Sequence, residues 1–221
     1  MNGILFKPEL IKRIVAGEKD VTRRLDHLKE INIEPDKWEF CGLAVNKIQK
    51  VKLGDALFIN KDFPLEVKAI NPRYHVGEVL FIRESWRIIN PIGKYLHNPY
   101  DFGIEYLSIN HEVRWWTDNG NIINYPIDEK TRSPLFLPAL FARHFIQITD
   151  VRSERLQDIT DEEAQREGVF SDPVKWGDCC HVDAFMRIWD IINPDHPFAS
   201  NPWVFRYAFK YLPDYKYEVI R

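Results

Sequence analysis

Gly17-Glu18-Lys19-Asp20-Val21-Thr22-Arg23-Arg24 lies where one kind of secondary structure stops and another must begin. Upstream, Lys7-Pro8-Glu9 opens a helix, with proline at the first helical position, where its missing N–H is no loss, and an acid in the first turn. Leu10, Ile11, Ile14 and Val15 fall on one face of that helix. Gly17 follows the last apolar turn, where a left-handed C-terminal cap belongs. Past the cap come a lysine, a threonine and two arginines. Such a run is either a pocket wall or a polar turn with a solvated lysine and a threonine bonded back to the backbone. In a regular strand Lys19 and Thr22 have opposite parity and point to opposite faces, so both reach one pocket only if the chain bends between them.

Working outward, Gly3 to Phe6 reads as an edge strand. Residues 25–53 mix charges, Asn, Pro and Gly with isolated apolar residues and read as a surface insertion anchored by Trp38, Phe40 and Leu43. Ala56 to Asn60 is a strand, and Val79-Leu80-Phe81-Ile82 is a buried strand that ends in the polar, aromatic cluster Arg83-Glu84-Ser85-Trp86. Residues 87–130 form a second, β-rich insertion, with strand-like pieces at Ile104 to Ile109, Val113 to Thr117 and Ile122 to Tyr125 and a hairpin turn at Asp118-Asn119-Gly120-Asn121. Phe141 to Val151 is a long strand. Thr160 with Glu163 is a capping box that starts a short helix stopped at Gly168. Phe185, Ile188, Trp189 and Ile192 recur at helical spacing, and Trp203, Phe205, Tyr207 and Phe209 alternate as one face of a strand. The expected fold is a single α+β domain: a small, partly open β-barrel with two or three flanking helices and the two insertions.

The chain has 221 residues, enough for a sizeable core, and a formal net charge of −3. That balance argues against a broad grip on long nucleic acid and leaves room for a pocket with local arginines. Three cysteines, two of them adjacent, make no disulfide framework, and no apolar run reaches membrane length. The expectation is a cytoplasmic protein without a membrane partner. Adjacent Cys179-Cys180, followed by His181 and Asp183, seldom reach one zinc without strain, and no CxxC pair accompanies them. No Gly-rich phosphate loop, GxSxG elbow or HExxH is present, so no metal and no cofactor is expected.

Read together, Gly17-x-Lys19-x-x-Thr22-x-Arg24, Gly77 with Ile82-Arg83-Glu84-x-Trp86, and Leu156-Gln157-Asp158-Ile159-Thr160 with Ala164 and Glu167-Gly168 resemble the ASCH domain family. Asn201-Pro202-Trp203 and the strand ending in Phe209-Lys210 look like its phage and prophage branch. The resemblance implies a PUA-like barrel and an RNA or (modified) nucleotide or nucleoside partner. One branch of the family removes the acetyl group from 4-acetylcytidine with a lysine, a threonine three residues on and a distant glutamate, which match Lys19, Thr22 and Glu167 here. Another branch is reported as a ribonuclease. Binding module, amidohydrolase of an acylated base, and non-catalytic phage accessory protein acting through protein contacts are the three functions in play.

In the hydrolase reading Thr22 is the nucleophile, Lys19 its base once desolvation or the charges of Arg23 and Arg24 lower its pKa, and Glu167 moves a proton or orients water. For binding, Trp86 can stack on a base, Glu84 can accept from an amino group, and Arg83 and Arg143 can reach a carbonyl or phosphate. The alternative reading of Arg83 and Glu84 is an internal ion pair beside a core tryptophan.

Overall fold

A computed structural model of the chain describes residues 1–47, 50–89, 101–107, 113–117, 130–169 and 180–216. In chain order its regular elements are β1 (Asn2–Leu5), α1 (Pro8–Val15), β2 (Val21–Arg24), β3 (Trp38–Leu43), β4 (Ala56–Asn60), β5 (Val67–Ile70), β6 (Val79–Arg83), β7 (Trp86–Ile89), β8 (Asp101–Tyr106), β9 (Val113–Thr117), β10 (Phe145–Arg155), α2 (Asp161–Arg166), α3 (His181–Ile192) and β11 (Trp203–Tyr211). The fold is α+β, with several sheets and three α-helices among the described residues. No closed barrel is found among them. The expected strand at Ile122 to Tyr125 and the turn at Asp118 to Asn121 lie outside the described residues.

The chain divides into two compact units. The first comprises Met1–Val15, Val79–Ile146 and Leu212–Arg221. Here β1 runs parallel to β6, with Gly3 opposite Phe81 and Ile4 opposite Ile82. The helix read from Pro8 is α1, and it buries Ile11 and Ile14. Strands β7, β8 and β9 form an antiparallel sheet. Phe81, Trp86, Ile88, Ile104, Tyr106, Leu137, Phe141 and Phe145 make this unit's core. The strand expected from Phe141 starts only at Phe145, because Pro138 leads into a 3-10 turn at Ala139–Phe141.

The second unit comprises Ala16–Glu78 and Gln147–Tyr211. Most of β10 belongs to it, next to β11 and then β2. Strand β11 is antiparallel to β2, in the register Phe205–Arg24, Arg206–Arg23, Tyr207–Thr22 and Ala208–Val21. Its aromatic face was legible from the alternation. The other face is buried too: Val204 joins Leu156, Ala164, Phe185 and Trp189 in the core beneath α2 and α3. The segment read as an insertion at 25–53 supplies β3, which pairs with β4, whose other neighbour is β5, and it buries Leu28, Ile31 and Trp38.

Candidate functional site

Gly17 has φ +76°, the left-handed cap that the helix stop demands. The chain then enters the sheet at once: the Phe209 N–H donates to the Asp20 carbonyl, ahead of the regular β2 pairing. No bend intervenes inside β2, so side chains alternate between its two faces.

One face carries a buried ion network. Lys19 Nζ donates to the Val21 carbonyl at 2.6 Å, to the Glu167 carbonyl at 2.7 Å and to Glu167 Oε2 at 2.7 Å. Arg23 Nη1 holds the other carboxylate oxygen of Glu167 at 3.1 Å, its Nε binds Glu154 at 2.8 Å, and its Nη2 meets Glu163. Glu163 also accepts from Arg206 Nε at 2.8 Å and Arg152 Nη2 at 3.0 Å. Outside the network, Arg166 clamps Asp20 at 2.8 and 2.9 Å. Thr160 caps α2 by accepting from the Glu163 N–H at 3.3 Å. The Glu163 carboxylate then ties the helix down onto Arg23 of β2 and Arg206 of β11.

Burial holds the Lys19 ammonium below the ordinary lysine value, and Glu167 opposes that fall only in part. For Arg23 burial also lowers, but Glu167, Glu154 and Glu163 outweigh it and the net direction is up. Burial alone would raise Glu163; Arg23, Arg206 and Arg152 overcome that and hold it below the ordinary carboxylate value. Three acceptors surround Nζ of Lys19, so a lone pair there would face oxygen. The three oxygens favour the ammonium form and burial disfavours it, with burial the larger effect.

The opposite face holds Thr22 and Arg24. Thr22 lies beside Tyr207 and Arg24 beside Phe205 in the ladder. Tyr207 packs edge-on against Tyr74, with ring centroids 5.4 Å apart, and its hydroxyl accepts from the Arg73 N–H at 3.2 Å. The Arg73 guanidinium stands over the Tyr74 ring at 5.7 Å and reaches Asp26 at 3.5 Å, and its own side chain is 56% exposed. Burial raises the Tyr74 pKa, and the charges of Arg73 and Arg24 oppose that rise. Burial also raises Tyr207, so neither phenol is an acid of use near neutral pH. The Thr22 hydroxyl makes no hydrogen bond among the described residues.

Lys19, Arg23 and Glu167 therefore come together, and Thr22 and Arg24 project the other way. Alternation separates the threonine from the lysine and glutamate it was expected to join. In the other unit, Glu84 and Arg143 form a buried bidentate pair at 2.9 and 2.8 Å, and the Arg143 guanidinium lies 4.5 Å from the Tyr106 ring centroid. Trp86 is wholly buried, 5.9 Å from Phe141 between ring centroids, and offers no face to a base. Of the two readings for this cluster, the geometry has the ion pair and the core tryptophan, with Arg143 rather than Arg83 as the partner. Arg83 donates to the Leu135 carbonyl. Sequence reasoning missed Glu154, Glu163, Arg206 and Arg73 as members of these sites. Arg206 carried a signal, as a charge set among the aromatic residues of β11, whose other charge, Lys210, lies near the strand's end. Among the described residues no group of His, Cys, Asp and Glu could hold a metal ion, and no helix is long and apolar enough to cross a membrane.

Comparison with known proteins returns no family model, no curated protein and no solved structure that matches the chain.

Proposed function

We propose that the chain is an ASCH-type domain, a PUA-like barrel in design, that holds one nucleotide, free or within an RNA, against the Thr22 and Arg24 face of β2. The observation that carries this reading is the pair of guanidinium groups, Arg24 and Arg73, set about Tyr74 on the face that bears the Thr22 hydroxyl. Two guanidinium groups match a phosphate, and a hydroxyl free to donate or accept suits a sugar or base edge. The hydrolase alternative needs Thr22 within reach of Lys19 and Glu167. Alternation in β2 supports binding over it.

The test is calorimetric titration with cytidine 5′-monophosphate, cytidine and 4-acetylcytidine, with chromatography to follow any cytidine released. The nucleotide is expected to bind more tightly than either nucleoside. Arg73→Ala, a change at an exposed side chain, should weaken it about tenfold, as should Arg24→Ala. Equal binding of nucleotide by the wild type and both variants, or no binding at all, overturns the proposal. Release of cytidine that is lost in Thr22→Val points to the hydrolase instead.

A further inference from the structure

A cleft lies on the same unit, and its lining includes neither Thr22 nor Arg24. Leu25, His27, Lys29, Asn32, Ile33 and His196 line a cleft of roughly 330 Å³, at the small end of the range for small-molecule sites. Its walls are fixed. The Asn32 side-chain amide donates to the Trp203 carbonyl at 2.9 Å and accepts from the Trp203 N–H at 2.7 Å, which commits both ends of the amide to the start of β11. The His196 carbonyl accepts from the indole of buried Trp189 at 2.8 Å.

His27 is the unusual member. It has φ +60°, one of two non-glycine residues in the left-handed region among those described. Histidine is among the types that tolerate that region, and the conformation persists where neighbours hold it. Here the holder is a bond of 2.8 Å between Nδ1 and the Asn71 carbonyl, and Asn71 is itself tied to buried Asp55 at 2.8 Å. A carbonyl only accepts, so Nδ1 carries the proton and Nε2 is the nitrogen left for a partner. Lys29 adds an exposed ammonium that makes no ion pair among the described residues. The described lining holds no carboxylate, on a chain whose net charge is −3. Leu25 and Ile33 supply the apolar wall.

We propose that this cleft binds the anionic group of a small organic molecule, a phosphate monoester or a carboxylate, with Lys29, His27 and His196 about the anion and Leu25 and Ile33 against its apolar body. The probes are phenyl phosphate, benzoate and phenol, followed by calorimetry and by the histidine ring signals in NMR. Both anions are expected to bind and to shift the His27 and His196 signals, with phenol weaker by at least tenfold. Lys29→Ala should weaken about tenfold the anion titration read from the His27 and His196 signals, and that same local titration should be unmoved in Arg24→Ala, which separates this site from the proposed nucleotide face. The tighter of the two anions names the ligand class. Phenol binding as well as the anions, equal affinity in Lys29→Ala, or histidine signals unmoved by every probe would overturn the assignment.

Discussion

Glu167 and Thr22 were paired by the family pattern, yet they answer to different physics. Glu167 is the shared counter-charge of two cations whose side chains are almost wholly buried, Lys19 at 1% and Arg23 at 0% exposure. Glu167→Gln keeps the shape and removes the charge, so it leaves two buried cations short of a partner. Breaking a buried pair in this way costs about 3–5 kcal/mol, and the expected result is a clear fall in the urea midpoint. Thr22→Val removes a hydroxyl that bonds to no described residue, so it orphans nothing. Its stability should stay within about 1 kcal/mol of the wild type while nucleotide affinity falls. A Glu167→Gln protein as stable as the wild type would sink the account of the ion network. The opposition of Lys19 and Thr22 was legible from strand parity alone. The acids around Arg23 were not, because Glu154 and Glu163 come from elements whose packing no local pattern encodes.

Elements were easier to read than their neighbours. Pro8 and Gly17 bracket α1, Thr160 opens α2, and the alternating aromatics are β11, because caps and periodicity act over a few residues. Which strand pairs with which depends on contacts between distant segments, and the parallel pairing of β1 with β6 left no local mark. One consequence of that pairing is testable. A Cβ at Gly3 would lie 2.6 Å from the ring of Phe81, which is buried and has nowhere to move, so Gly3→Ala should cost roughly 1–3 kcal/mol by overpacking. At α2, Thr160→Ala loses the cap and should cost about 1 kcal/mol. The carboxylate of Glu163 gives the same helix a pH dependence. Its folded pKa lies below its unfolded one, so its contribution is complete above the unfolded value and disappears as pH falls through the folded one. Asp161, lowered first by its bond to His181, acts in the same direction. Thermal unfolding followed between about pH 5 and 3 should therefore show a steep acid limb, shallower in Glu163→Gln. An identical limb in the variant would mean that Glu163 does not anchor α2 through charge.

At the scale of the whole molecule, charge separates a nucleotide pocket from a nucleic-acid track. The chain carries 30 basic and 33 acidic residues, and many of the arginines described above are already matched to carboxylates inside the protein. On the proposed face the cations are Arg24 and Arg73, and Arg73 would exchange its exposed 3.5 Å pairing with Asp26 for the phosphate. Single-stranded binding loses affinity with salt at a slope of about −0.7 per phosphate neutralised, so two contacts give a slope near −1.4. A fourfold rise in salt, from 50 to 200 mM, should then weaken a short single-stranded RNA by roughly sevenfold. A track of eight contacts would lose more than about a thousandfold over the same range. The same two contacts predict that lengthening the RNA adds little, so that cytidine 5′-monophosphate competes with a 20-nucleotide strand at comparable concentration. Fluorescence anisotropy with a labelled strand measures both quantities. A salt loss beyond a hundredfold, or a strand that the mononucleotide cannot displace, would move the nucleic-acid contact off the Arg24 and Arg73 face and onto a surface with many more cations than this one offers.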